Sequence, residues 1–113
     1  MQERSIGPVV VLDIAGRLVL DDGDRQLKEH VAGLLDKGTR HLVVNVAEVS
    51  YVDSAGLGAL VGAFLSAKSL GGTVRLLAPS SRLQDLLKMA RLLNVVSVCE
   101  TEEQALGSFG VLT

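Results

Sequence analysis

The chain has 113 residues, 48% of them apolar, with a formal charge of -2. That length and composition fit one globular domain over residues 1–113 with an ordinary core. Aromatic residues make up only 3% and the basic residues are scattered, which excludes a stacking platform or a basic face for nucleic acid.

The N-terminus MQERSIGPVVV has mixed charge and no signal-peptide pattern. No apolar run approaches the roughly 18 residues of a membrane span, so no membrane insertion is expected. The single cysteine, Cys99, has no partner for an internal disulfide. A soluble, cytoplasmic domain is the expectation.

Residues 8–20, PVVVLDIAGRLVL, read as two short strands. Ala15-Gly16 supplies the turn between them, and Arg17 to Leu20 returns antiparallel. Residues 22–37 read as an amphipathic helix with Leu27, Val31, Leu34 and Leu35 on one stripe. HLVVNV, residues 41–46, is a buried strand, and residues 55–70 form a second helix stopped by Gly71-Gly72. TVRLLA, residues 73–78, is the next strand. SSRLQDLLKMARLLN opens with a capping-box signature, Ser81 with Gln84, and runs on as a helix. Residues 95–98 make a short strand, and TEEQ at 101–104 opens a last helix through Phe109. The order β-β-α-β-α-β-α-β-α predicts an α/β fold: a mixed, mostly parallel sheet with an N-terminal hairpin and about four helices.

The stretch YVDSAGLGALVG, residues 51–62, carries the functional signal. Asp53 or Ser54 suits the N-cap, because a side-chain oxygen there accepts from free backbone N–H groups. Gly56, Gly58 and Gly62 are costly in a helix, at about 1 kcal/mol each against alanine. On helical spacing Leu57, Leu60, Val61, Phe64 and Leu65 form an apolar stripe toward the sheet. Ala55, Gly58, Ala59, Gly62, Ala63 and Ser66 form a stripe of small residues on the other side. Such a stripe admits the backbone of a partner, or packs closely on a neighbouring helix of the same domain. The helix mouth, with unpaired N–H groups and a positive dipole end, could also hold a phosphate on Ser54.

YVDSAGLGALVGAF resembles the phosphorylation-site segment of STAS domains, notably anti-sigma factor antagonists of the SpoIIAA/RsbV type. Their pattern there is D-S-S/A-G-L-G. The resemblance extends to G-R-L after the first strand, to LVVNVAEVSYVDS, to L-G-G-T-V-R-L and to the final acidic helix. It implies a STAS fold and a protein that binds rather than catalyses. In such antagonists the motif serine is phosphorylated by the anti-sigma factor, itself a serine kinase. The unmodified form binds the kinase and frees the sigma factor. A PP2C-type phosphatase restores it. Carried over, Ser54 is the phosphoacceptor and Asp53 its motif neighbour. Gly56, Leu57 and Gly58 shape the docking surface, with Ala55, Ala59 and Gly62 along the same face. The family's acidic residue after the second strand corresponds to Asp21 or Asp22. The chain departs from the family at Asn45, where an aspartate is common, and at Val19, where an aspartate often follows G-x-L. The other reading within the family is a non-switching accessory or scaffold module of a transporter or signalling complex.

No cofactor is expected. His30, His41 and Cys99 show no metal-ligand spacing, so the histidines read as surface or edge residues and Cys99 as a partly buried small hydrophobe. No G-x-S-x-G elbow surrounds Ser54, and there is no Walker A or G-x-G-x-x-G run. A phosphoaspartate receiver needs an acidic pair at the end of its first strand, where this chain has Asp13-Ile14-Ala15-Gly16.

Overall fold

A computed structural model describes residues 1–110. Five strands and four helices alternate along the chain. They are β1 (Gln2–Ile6), β2 (Val9–Leu18), α1 (Asp24–Asp36), β3 (His41–Val52), α2 (Ser54–Ser69), β4 (Thr73–Leu77), α3 (Ser81–Met89), β5 (Val98–Cys99) and α4 (Glu102–Gly107). The sheet order is β1-β2-β3-β4-β5, antiparallel between β1 and β2 and parallel elsewhere. The mixed, mostly parallel sheet and the four helices are as the sequence predicts.

The hairpin is present but lies earlier than expected. Its turn is Gly7-Pro8, with Gly7 at φ 58, and its first strand is QERSI. Ala15-Gly16 makes no reversal: β2 runs straight through it for ten residues. Gly16, at φ 84, instead sits at the second of two register shifts between β2 and β3. Positive φ serves a bulge as well as a turn. QERSI escapes sequence detection because it is a polar edge strand with no alternation to read.

Strand alternation sends side chains to two layers. Leu12, Ile14, Leu42, Val44 and Leu76 pack against α1, α2 and α3, while Val9, Val11, Val43 and Leu77 meet Ala105 and Leu106 of α4. The N-cap of α3 is Ser80, not Ser81: the Ser80 hydroxyl accepts from the Leu83 N–H at 3.1 Å. Gln84 donates to the Pro79 carbonyl instead of closing the capping box. Thr101 caps α4 as expected, accepting from the Gln104 N–H at 3.2 Å.

One feature of the sheet positions the site. β1 covers β2 only to Asp13, and β4 covers β3 only to Asn45. Beyond that line, residues 15–18 and 48–52 continue as a two-stranded ribbon, with β3 gaining an extra residue at each of two bulges. Ser54 follows directly from its tip.

Candidate functional site

Asp53 stands at the junction of the ribbon and α2 in extended conformation, with φ -95 and ψ -173. It is the N-cap. Its Oδ1 accepts from the Gly56 N–H at 2.8 Å, and its backbone carbonyl accepts from the Leu57 N–H at 2.9 Å. Its Oδ2 reaches a different segment and accepts from the Leu20 N–H at 3.0 Å. The Gly56 amide, and after it the Leu20 amide, hold the carboxyl below the usual carboxylate range.

Ser54, the first residue of α2, is exposed. Of the first-turn amides, those of Gly56 and Leu57 are engaged by Asp53. Neither histidine is placed to activate its hydroxyl. His30 meets Glu3 at 2.5 Å, and His41 opens β3 at the end remote from Ser54, its ring 5.0 Å from that of Phe109. The arrangement presents an exposed hydroxyl on a helix rim with neither histidine beside it. Among the described residues no group of three or more His, Cys, Asp or Glu could hold a metal ion.

Asp21 and Asp22 lie in a tight turn beside this rim. Val19 and Asp22 exchange backbone hydrogen bonds at 2.8 and 3.0 Å, and Asp21 takes φ 59, a left-handed value that aspartate tolerates. Both acids are exposed, and Asp21 makes only a long, solvated contact with Arg25 at 3.5 Å. Asp24, which the sequence did not single out, is the acid that turns inward, 5% exposed with its Oδ1 unpartnered. Leu20, read from the sequence as the end of a returning strand, is 65% exposed at the crest of the turn. Its position as the last residue of the apolar run Leu18-Val19-Leu20 made it look like a strand end.

The glycines and alanines of α2 separate into two classes. Gly56 is buried, and a Cβ there would lie 1.9 Å from the Leu18 carbonyl oxygen. It is a glycine because the helix mouth rests on the β2 backbone, so it offers no surface to a partner. Ala59 and Ala63 are also buried, at 1% and 5% exposure, in the seam against α1. For these two the small-residue stripe serves packing within the domain, so Ala59 is not at the surface where the sequence reading put it. Ala55, Leu57 and Gly62 remain half-buried and Gly58 exposed, with open space where a Cβ would sit on Gly58 and Gly62.

The helix is also rotated from the expected phase. Gly56, Leu60, Phe64 and Ala67 face the core, while Leu65, expected toward the sheet, is 52% exposed. Successive residues differ by 100°, so a helix seated on Leu60 and Phe64 turns Leu65 to its open flank.

Asn45 marks the base of the ribbon. Its Nδ2 donates to Asp13 Oδ1 at 2.8 Å, and its Oδ1 accepts from the Ala47 N–H at 3.1 Å, shaping the first bulge. Asp13 is gripped further by Arg4, at 2.6 and 3.0 Å, and Arg4 also reaches Glu102 at 2.6 Å. Arg4, and more weakly Asn45, hold the Asp13 carboxyl below its ordinary value.

A family model described as the STAS domain matches residues 2–105. The chain belongs to the STAS family. Among relatives of this STAS domain, the anti-sigma-B factor antagonist of Bacillus subtilis is 34% identical over 77 residues, 68% of this chain and 70% of the relative. The curated relatives it matches are covered over 64% to 72% of their length. The crystal structure of TM1081 from Thermotoga maritima superposes with TM-score 0.90 at 23% identity, over 97% of this chain and 94% of that one. The anti-sigma factor antagonist SpoIIAA of Bacillus superposes at 0.77 in its unphosphorylated form, with 20% identity and 98% of each chain covered. Its phosphorylated form superposes at 0.76, with 22% identity over 96% of this chain and 97% of that one. At these identities the superpositions show the fold. Among the described residues no helix is long and apolar enough to cross a membrane.

Proposed function

We propose that this STAS domain is a cytoplasmic anti-sigma factor antagonist that acts by docking, not catalysis. Its partner is an anti-sigma serine kinase, which phosphorylates Ser54, and a PP2C-type phosphatase resets it. The observation that carries the reading is Ser54 itself: a free hydroxyl on the rim of α2, inside the D-S-A-G-L-G segment, flanked by the turn that bears Asp21 and Asp22. The docking surface consists of Ser54, Ala55, Leu57, Gly58 and Gly62, with Asp21 and Asp22 beside them. Asp53, Gly56 and Ala59 support it from within.

Phosphorylation adds a charge of about -1.5 to -2 at neutral pH. Ser54 is exposed on the helix rim, so a phosphate there faces the partner. An unpaired charge pressed into an interface costs several kcal/mol, and about 1.4 kcal/mol is tenfold in affinity. One phosphate is therefore enough to release the partner.

The test is incubation with ATP and the candidate kinase of the same genome, followed by mapping of phosphate by mass spectrometry. Phosphate is expected on Ser54. With each cognate kinase tried, its absence there sinks the switch. Ser54→Ala is expected to retain kinase binding and Ser54→Asp to lose it; equal affinities would point to a constitutive contact.

A further inference from the structure

The Asp53 carboxylate joins two segments 33 residues apart in sequence, the 19–23 turn through Leu20 and the first turn of α2 through Gly56. Ser54 is covalently next to it and free. We propose that Asp53 is a relay: phosphate on Ser54 loosens the Leu20 N–H bond to Asp53 and so shifts the turn that presents Leu20 and Asp21. The inference rests on Ser54 being the phosphoacceptor.

The argument is one of competition at a crowded helix mouth. A phosphate beside Asp53 repels its carboxylate and competes for the Gly56 N–H, where the helix dipole favours the greater negative charge. Gly56 has little room to yield, because the Leu18 carbonyl oxygen fills the space beside it where a Cβ would stand. The Asp53 side chain lies at the surface and is the group free to move. When it turns away, both of its acceptors leave together. Within the turn the Val19–Asp22 bonds persist, so the 19–23 unit moves as a piece and carries the 65% exposed Leu20 with it. A partner then meets the phosphate twice, as charge at the rim and as displacement of an apolar side chain beside it.

The test needs no kinase. Phosphoserine is installed at position 54 by genetic encoding, and amide hydrogen exchange and the 15N–1H shift of Leu20 are followed, with Leu60 as reference. Leu20 is expected to exchange on the order of tenfold faster, with Leu60 unchanged. Asp53→Ser keeps an N-cap for Gly56 but shortens the reach to Leu20. In that variant Leu20 exchanges fast from the start and phosphoserine adds nothing. An unchanged Leu20 in the parent protein overturns the relay, as does an equal acceleration in Asp53→Ser. Either result leaves the kinase reading standing. Failure of every cognate kinase to modify Ser54 sinks that reading without touching the coupling measured here.

Discussion

The carboxylate of Asp53 accepts the Leu20 N–H at 3.0 Å across the helix mouth, tying the acidic turn to the helix that begins at Ser54. The cap is thus also a clasp between β2 and α2. Its strength depends on Asp53 staying ionised.

Acid should undo this clasp before it harms the core. The folded-state values of Asp53 and Asp13 both lie below their unfolded ones. Between the folded values and about 3.9, the unfolded chain therefore binds more protons. Stability from both groups is full above about pH 4 and fades as the pH falls through the folded values. The urea midpoint is expected to drop steeply below pH 4, and less steeply in Asp13→Asn and Asp53→Asn.

Three glycines of one motif should respond to alanine with opposite signs. Gly56→Ala puts a Cβ 1.9 Å from a backbone oxygen that has nowhere to go. The cost lies at the upper end of about 1–3 kcal/mol, or beyond it. Gly58→Ala and Gly62→Ala meet open space and relieve helix entropy, so each is expected to stabilise by about 0.5–1 kcal/mol. If Gly58 and Gly62 belong to the docking face, these more stable variants bind the kinase less well. Denaturation midpoints and binding isotherms on the same samples separate the two effects.

Asn45→Asp tests why this chain departs from its family. The amide donor to Asp13 Oδ1 is replaced by a second carboxylate at 2.8 Å spacing. A loss of about 1–2 kcal/mol is expected at neutral pH. Like charges raise the folded-state pKa of the pair, so the folded form then holds more protons and the penalty shrinks in acid. A loss independent of pH between 3 and 7, roughly the span of carboxylate titration, would assign Asn45 a purely steric role.

The phase of α2 can be checked with two leucines. Leu60 is fully buried and Leu65 is 52% exposed. Leu60→Ala is expected to cost about 2–5 kcal/mol and Leu65→Ala no more than about 0.5 kcal/mol. Comparable losses would restore the orientation read from the sequence.

Element order, sheet class and the capping of α4 were legible in the sequence because they rest on local signals: apolar period, turn residues and capping side chains. The cap of α2 was legible for the same reason, although spacing left Asp53 and Ser54 equal candidates for it. The misplaced hairpin had a different origin. Gly16 carries the positive φ that a turn needs, but β2 and β3 spend it on a bulge, and only their pairing register reveals that. Likewise the division of the α2 small residues depends on where α1 lies. Spacing put Ala59 and Gly58 on one stripe, yet α1 covers the first and leaves the second open. Asn45 looked like a defect in a family pattern. Its partners, Asp13 and the Ala47 amide, belong to β2 and to the first bulge, which no local reading brings together.

The two-stranded ribbon beyond Asp13 and Asn45 divides the domain mechanically. Where β1 and β4 flank the sheet, β2 and β3 have ladders on both sides, whereas residues 15–18 and 48–52 pair within the sheet only with each other. Local opening free energies follow such differences in support. The ladder amides at the end next to Ser54 are therefore expected to exchange faster than those of the five-stranded end. Under the proposed switch, a kinase would meet Ser54 at the less supported end of the sheet.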